Sequence, residues 1–320
     1  MPLTLDDLYR SPDHYLHSFD GDKAIFVPMD RAAYHRSIFL NGRISPAAGQ
    51  AMTLPVEVVA QVIRAPQPTS WIFHMAHVGS TLLARALDDP GASLVLREPL
   101  ALRQLALEPD DQRLAIVAAM LGKRYRPDAP TLIKANVPVN FLLPKLAAID
   151  ANALAILLYL PLRDYLLAIL RSDSHLDWLR KITSFLSHYL GDLSALSDAE
   201  RAAALWLAQV NAFSGTLIAL PNARALNAEL FFDEPGAVLN AAAKHLGVPI
   251  APTDIAARVA DPLFSTHAKN PALAFDNMQR VARRRDLERT MVAELDRAEE
   301  WIAERADAPD AALTAAALDV

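Results

Sequence analysis

The stretch FHMAHVGSTLLARAL, from Phe73 to Leu87, has the pattern of a buried strand, a tight turn and a helix. Such a turn directs several backbone N–H groups and the positive end of a helix toward one point, which favours a phosphate or sulfate group. The ATP and GTP version, G-x-x-x-x-G-K-[ST], also needs a lysine on the phosphates. Here His74 replaces the first glycine and Ser80 replaces that lysine, whereas Gly79 and Thr81 fit. The stretch therefore indicates an anion-binding loop, with an ordinary strand-turn-helix as the alternative.

Short apolar runs alternate with helical patterns around this loop, which is typical of a parallel sheet covered on both faces. We expect an α/β protein with a three-layer P-loop fold, in which helices flank a central parallel sheet. A capping box, S-D-A-E, starts the clearest helix at Ser197. The apolar stripe of that helix predicts core and not a site. The predicted strands are Trp71 to Ala76, Ser93 to Arg97, Thr131 to Lys134, Ala153 to Leu160 and Ala223 to Leu230.

The alternation of predicted strands and helices divides the chain into three parts. Residues 1–70 lack it and are predicted to be an N-terminal extension packed on the core, residues 71–275 form the P-loop domain, and residues 276–320 form a C-terminal part. The C-terminal part is predicted to be one long helix followed by a frayed tail from Ala306 onward. Its Arg283, Arg284 and Arg285 are expected on a solvated face.

Composition excludes several classes of protein. The 320 residues contain no cysteine, so disulfides, zinc thiolate sites and cysteine nucleophiles are excluded. A formal net charge of -6 argues against a surface made for nucleic acid, although it allows a local basic pocket. The acidic start, MPLTLDDLYR, is unlike a signal peptide, and the longest apolar run is far short of a membrane span. We expect a cytoplasmic protein with no nucleic-acid partner and no membrane span, whose oligomeric state is open.

A-H-V-G-S-T-L-L resembles the P-[KR]-S-G-T-[TS]-L loop of sulfotransferases, with His77 where that family has Lys or Arg. Four later segments are similar to the family's in the same order, so that the resemblance covers Trp71 to Pro249. In sequence order they are L-R-E-P-L (Leu96 to Leu100), L-I-K-A-N-V-P (Leu132 to Pro138), L-Y-L-P-L-R-D-Y-L-L-A-I-L-R-S (Leu158 to Ser172) and the segment Ala228 to Pro249.

The resemblance implies transfer of a sulfuryl group from 3'-phosphoadenylyl sulfate to an acceptor, without a metal. Glu98 would take the acceptor proton, with a pKa raised toward neutrality by enclosure, while Lys134 and His77 would neutralise developing charge. Asn136 stands where cytosolic members have a histidine base. Residues expected to bind the donor are His77, Val78, Gly79, Ser80, Thr81 and Leu82 at the 5'-phosphosulfate, Arg163 and Ser172 at the 3'-phosphate, and Lys269 in a loop over the nucleotide.

Other interpretations stay open. Glu98 could mark a helix start, Lys134 could be a solvated lysine, and Arg163 could pair locally with Asp164. L-F-F-D-E, Leu230 to Glu234, could be a Walker B strand of a P-loop kinase or ATPase, although it fits a helix start better. A third possibility is a catalytically degenerate nucleotide-binding protein. The acceptor, a small molecule or a peptide, is not specified.

Overall fold

A computed structural model describes residues 4–89 and 91–320. Two 3-10 helices, Val137–Leu142 and Pro262–Phe264, supplement the α-helices. The strands are β1 (His14–Asp20), β2 (Lys23–Pro28), β3 (Met52–Pro55), β4 (Thr69–His74), β5 (Leu94–Arg97), β6 (Thr131–Lys134), β7 (Leu154–Tyr159), β8 (Ala223–Asn227), β9 (Thr266–His267) and β10 (Asn270–Ala274). The α-helices are α1 (Leu5–Arg10), α2 (Arg31–Arg36), α3 (Val56–Ala60), α4 (Ser80–Ala86), α5 (Leu100–Leu107), α6 (Asp111–Leu121), α7 (Leu143–Ile149), α8 (Leu162–Ile169), α9 (Asp173–Phe185), α10 (Ser187–Leu190), α11 (Asp198–Ala219), α12 (Ala228–Asp233), α13 (Pro235–Leu246), α14 (Pro252–Val259), α15 (Asn277–Thr290), α16 (Val292–Ala303) and α17 (Ala311–Ala315).

The central sheet has five strands in the order β5-β6-β4-β7-β8, and every neighbouring pair is parallel. Its strands are almost continuously apolar and buried, as expected for a sheet covered by helices on both faces. The predicted fold class is confirmed. The chain leaves β4 for one half of the sheet and reaches the other half through β7, so the carboxyl end of β4 lies at the switch point where open α/β sheets bind ligands.

Three parts of the sequence-based prediction are wrong in their local structure. The strand predicted to end at Leu230 ends at Asn227, whose side chain caps α12 by accepting from the amide of Glu229. The predicted long C-terminal helix is two helices, α15 and α16, which are separated at Met291. The predicted frayed tail instead contains α17 and buries Leu313 and Leu318 against the fold.

The N-terminal residues form an antiparallel sheet, β1-β2-β3, whose side chains join the same hydrophobic cluster as the central sheet. The following segment reaches the central sheet at Leu40. The Leu40 amide donates to the carbonyl of Arg97 (2.7 Å), and its carbonyl accepts from the amide of Leu100 (3.2 Å). These bonds hold residues 39–43 beside the end of β5.

The capping box at Ser197 is present, and α11 buries the predicted Trp206, Val210 and Phe213. In the described part of the chain, α11 is the one helix long and apolar enough to cross a membrane, but half of its apolar window is buried inside the fold. This is the behaviour of a core helix and is compatible with the predicted absence of a membrane span. The cytoplasmic location stays a prediction.

Candidate anion-binding and transfer site

A cavity of about 950 Å³ opens at the carboxyl ends of β4, β5 and β6. Its volume lies at the upper end of the range for small-molecule sites. Seven Arg or Lys side chains and four Asp or Glu side chains line it, in a chain whose formal net charge is -6. The lining is therefore locally cationic, which favours an anionic ligand.

The loop between β4 and α4 lies on the cavity wall with two residues in the left-handed region, His77 (φ 61°) and Gly79 (φ 75°). Glycine adopts this conformation without strain, whereas histidine does so only at a cost. The first helical hydrogen bond of α4 runs from the amide of Leu83 to the carbonyl of Gly79, so the preceding amides have no helical acceptor. Thr81 is buried, and among the described residues its hydroxyl has no partner.

His74, at the first glycine position of the nucleotide-binding motif, has a structural function. Its buried ring lies within hydrogen-bonding distance of the carbonyls of Met75 (2.6 Å) and Ala135 (2.8 Å). Burial, followed by the nearby Lys134 ammonium, lowers the pKa of His74 to about 3, so the ring is neutral. His74 therefore joins the ends of β4 and β6 and adds no charge to the site.

Glu98 and Lys134 form an ion pair with an Nζ–Oε1 distance of 2.5 Å at the adjacent ends of β5 and β6. The Glu98 amide also donates to the Lys134 carbonyl (2.7 Å), and Glu98 is itself left-handed, with φ 56°. Glu98 lines the cavity, whereas the Lys134 side chain is only 1% exposed and does not. The structure thus brings the two residues together but places the lysine behind the glutamate.

The predicted rise in the pKa of Glu98 is wrong. Burial of the carboxyl raises the pKa, but the charge and the hydrogen bond of the adjacent Lys134 ammonium outweigh it, and the pKa of Glu98 lies below its ordinary value. Burial lowers the pKa of Lys134, and the Glu98 carboxylate opposes that shift. At neutral pH the cavity therefore faces a carboxylate whose charge is already balanced by a buried ammonium.

His77 is in the cavity but does not carry the positive charge predicted for it. Its ring centroid lies 4.3 Å from that of His175 and 5.6 Å from that of Trp178. Burial, followed by the charges of Lys269, His175 and Arg171, lowers the pKa of His77 to about 2. The imidazole is neutral at pH 7 and can contribute only hydrogen bonds.

Arg171 and Ser172 meet on the imidazole of His175. The Arg171 guanidinium lies 2.7 Å from the Nε2 atom of His175, and the Ser172 hydroxyl lies 2.6 Å from its Nδ1 atom. All three residues line the cavity. Burial and then the charges of Arg283 and Arg280 lower the pKa of Arg171, a sign of cations gathered in one place.

Lys269 occupies the turn of the β9-β10 hairpin on the opposite cavity wall. It makes no ion pair in the described chain, and its charge is repelled by those of Lys134, Arg43 and Arg171 and attracted by that of Glu98. Loss of hydration at the cavity wall, and then the charge of Lys134, lowers the pKa of Lys269 to about 8, although the residue as a whole is exposed. The segment predicted to be a polar loop is thus a hairpin that presents a cation to the cavity.

Helix α15 contributes Arg280, Arg283 and Arg284 to the cavity wall. Arg283 and Arg285 are exposed, as predicted, whereas Arg284 is partly buried, which corrects the prediction for that residue. Arg280 donates two bonds of 2.9 Å to the Glu229 carboxylate. Arg284 donates to Glu229 (2.8 Å) and pairs with Asp164. Arg283 has no carboxylate partner among the described residues, so its charge is left for a ligand or for solvent.

Arg163 is not brought to the cavity. Its guanidinium donates to the carboxylates of Glu288 (2.9 Å) and Glu299 (2.8 Å), and these hydrogen bonds raise its pKa. The arginine that follows the strand in sequence is therefore occupied by acids of α15 and α16. Arg171, eight residues later, is the arginine on the cavity wall.

Sequence reasoning missed several residues of the cavity. Arg103 lies one helical turn after Pro99 in α5. A helix prediction for Leu100–Leu107 would therefore have indicated that Arg103 lies near Glu98. No pattern indicated the N-terminal Phe39, Asn41 and Arg43, because only the long-range bonds of Leu40 bring them there. Within residues 4–89 and 91–320, no three His, Asp or Glu side chains are grouped to hold a metal. The metal-free reaction remains a prediction.

No protein-family model matches the sequence, and no curated protein matches it. Among solved structures, the chain is similar to a sulfotransferase domain from the curacin biosynthetic pathway. The two are 14% identical with a TM-score of 0.40, and the match covers 58% of this chain and 76% of that one. A likeness at this level carries no inference about activity.

Proposed function

We propose that this protein transfers a sulfuryl group from 3'-phosphoadenylyl sulfate to a hydroxyl or amine of an acceptor. The observation that carries the proposal is the group of Arg171, Arg283 and Lys269 on the cavity wall. In the described chain, none of the three pairs with a carboxylate. Cations that lie in one cavity without a carboxylate in direct contact repel one another, and a ligand with several negative charges relieves that repulsion.

We assign the donor's two anionic groups to two parts of the cavity. The loop from His77 to Leu82, with the unpartnered Thr81 hydroxyl, would hold the 5'-phosphosulfate. Arg171 and Ser172, with Arg283 opposite, would hold the 3'-phosphate in place of the predicted Arg163. Guanidinium groups suit this task because their planar donors match phosphate oxygens.

In the transfer step, the acceptor oxygen or nitrogen would bond to sulfur as the bond from sulfur to the bridging phosphate oxygen breaks. The electron pair of the broken bond leaves with adenosine 3',5'-bisphosphate, and the acceptor proton passes to the Glu98 carboxylate. The ionised Glu98 accepts a hydrogen bond from the acceptor before transfer, and Lys134 holds it in place. Lys269, rather than the buried Lys134, is the cation that faces the leaving group. Positioning and electrostatics supply most of the acceleration in such in-line transfers.

A P-loop kinase or ATPase fits this site less well. Glu98 and Glu229 follow strands of the sheet, and both are occupied by cations of the chain, Lys134 for the first and Arg280 with Arg284 for the second. Asp233, the acid of the Walker B alternative, ends helix α12 and follows no strand. The third alternative, a catalytically degenerate nucleotide-binding protein, would have the same cations in the cavity. It would differ from an enzyme only by lacking turnover.

The test compares nucleotides by calorimetry in the presence of a chelator. We expect adenosine 3',5'-bisphosphate to bind without metal, and ATP with Mg²⁺ to bind more weakly. Arg171→Ala should weaken the bisphosphate about tenfold to a hundredfold and adenosine 5'-phosphate much less, since a hydrogen bond to a charged group contributes about 1.5–3 kcal/mol. Arg180→Ala is the control, because Arg180 lies on the neighbouring α9 and pairs with Asp198 outside the cavity.

Two results would change this assignment of the donor site. A loss of 3'-phosphate affinity in Arg163→Ala but not in Arg171→Ala would restore the sequence-based assignment. Tighter binding of ATP with Mg²⁺ would favour the kinase.

With an acceptor in hand, Glu98→Gln should lower turnover by roughly 10² to 10⁴ at nearly unchanged bisphosphate affinity. Bisphosphate binding without sulfation of any acceptor would support the degenerate binding protein.

A further inference from the structure

A second group of cations, Arg43 and Arg103, lines the cavity at the Glu98 end. Arg103 lies on the first turns of α5, directly after the Glu98–Pro99 corner. Arg43 comes from the N-terminal segment that Leu40 binds to both sides of Glu98. Neither arginine forms an ion pair with a described carboxylate. These two cations are therefore distinct in chain position from those assigned to the donor.

The local geometry holds Arg43 at this position. Its guanidinium stacks 3.9 Å from the ring centroid of Phe39, and its Nε donates to the Asn41 side chain (3.1 Å). The same Phe39 ring lies 5.6 Å from the Lys134 Nζ atom, so it borders the Glu98–Lys134 pair. A guanidinium that stacks on an aromatic ring keeps its in-plane donors free for a ligand.

The charge at this end of the cavity is not balanced. Lys134 neutralises Glu98, and Arg43 and Arg103 remain as an excess of positive charge beside the carboxylate. Apolar side chains, Phe39, Val137 and Pro138, complete the wall there. Such a surface fits a ligand with an apolar body and a negatively charged group, with its nucleophile directed at Glu98.

We propose that the acceptor carries an anionic group, a carboxylate or a phosphate, which Arg43 and Arg103 bind while its hydroxyl or amine faces Glu98. This inference rests on the proposed sulfuryl transfer for the role of the bound molecule. The anion-binding subsite itself stands on the cavity geometry. This subsite would disfavour neutral acceptors, because a neutral acceptor would leave both guanidinium groups without a partner.

The test uses three probes with the same hydroxyphenyl body: 4-hydroxyphenylacetate, its methyl ester and 4-hydroxybenzylphosphonate. Dissociation constants are measured by ligand-observed NMR, with and without adenosine 3',5'-bisphosphate. We expect the dissociation constants of both acids to be lower than that of the ester by about tenfold or more. Arg43→Gln and Arg103→Gln should each remove about tenfold of the affinity for the acids and leave the ester unchanged. The two acids together show whether the subsite prefers a carboxylate or a phosphate.

Arg113→Gln is the matched control, because Arg113 also lies over a phenyl ring, that of Phe19 at 5.1 Å, but outside the cavity. Thermal unfolding of each variant shows that it is folded. Equal affinities for acid and ester, no binding of any probe, or full acid affinity in both cavity variants would overturn the inference. If the bisphosphate binds in that case, the donor site stands alone. If the acid preference is found but the bisphosphate does not bind, the sulfuryl-transfer proposal fails and the anion subsite remains.

Discussion

Gly79 is the residue at which the phosphate loop depends most on the absence of a side chain. A Cβ atom at this position would lie 2.7 Å from the ring of Phe232, and the backbone has φ +75°. The guanidinium of Arg280 stacks 4.1 Å from the centroid of that ring. A side chain at position 79 would therefore displace Phe232 and with it the cationic wall formed by α15.

We expect Gly79→Ala to weaken adenosine 3',5'-bisphosphate binding tenfold or more. Gly247→Ala is the control, since Gly247 is also left-handed (φ 67°, ψ 23°) and a Cβ atom there would make only an ordinary contact, 3.7 Å from Pro130. Both substitutions strain a left-handed backbone by about 1 kcal/mol, but only the first meets Phe232. Calorimetry and thermal unfolding of the two variants separate the effects. Equal bisphosphate affinities in the two variants would show that the contact with Phe232 has no part in binding.

The sequence predicted many residues of the cavity because they lie at strand ends. His77 to Leu82, Glu98 and Ser172 line it, and each closely follows the end of a central strand or the helix after it. Their electrostatics could not be predicted in the same way. The protonation of Glu98 and His77 depends on Lys134, Lys269 and Arg171, which come from distant parts of the chain. A pKa is set by spatial neighbours and by burial, and neither is local in sequence.

At the scale of elements, the apolar periodicity was sufficient to predict the five central strands, because buried parallel strands are short and nearly continuous in apolar residues. It did not predict the end of α15 at Met291, since the apolar stripe continues into α16 across that break. Helix α15 also buries no residue of its own. Leu287 packs against the core but is only partly buried, so ion pairs supply much of the attachment of α15, and periodicity does not show them.

We expect Glu229→Gln to loosen α15 without unfolding the protein. Glu229 accepts from both Arg280 and Arg284, and replacing its charge weakens both contacts. Amide exchange across Asn277–Thr290 should accelerate severalfold to about tenfold, because partly exposed pairs contribute less than buried ones. Glu234→Gln removes the same charge from the N-cap of α13, where the carboxylate makes no ion pair with α15 in the described chain. Equal exchange rates in the two variants would contradict the role of these pairs.

At the scale of the whole molecule, one hydrophobic cluster extends from Leu8 to Leu318 and includes side chains of the N-terminal and the central sheet. The antiparallel N-terminal sheet could not be predicted from the alternation of strands and helices. Its strands pair with one another and pack on α5 and α6, and they do not enter the parallel sheet.

A buried lysine lies where the N-terminal sheet meets the rest of the fold. Lys123 is 4% exposed and donates to the carbonyls of Leu8 (3.0 Å) and His14 (2.5 Å). It joins the segment after α6 to α1 and β1.

Lys123 makes the stability of the whole fold depend on pH. Burial lowers its pKa to about 7, and the weaker attraction of Asp13 only partly opposes that shift. In the unfolded chain the ordinary lysine pKa is about 10.4. Between about pH 7 and pH 10 the unfolded state therefore binds a proton that the folded state does not, so stability rises with pH. Below pH 7 both states are protonated and this contribution is constant.

Urea unfolding from pH 6 to pH 10 measures the effect as a difference between variants. Relative to Lys123→Met, the wild type should gain up to about 1.4 kcal/mol of unfolding free energy per pH unit above pH 7. Lys145→Met is the control, because Lys145 is exposed and pairs with Asp111 at the surface. It should leave the wild-type slope unchanged. Parallel stability curves for the wild type and Lys123→Met would mean that the Lys123 ammonium keeps its proton in the fold, with the two carbonyls sufficient to stabilise it.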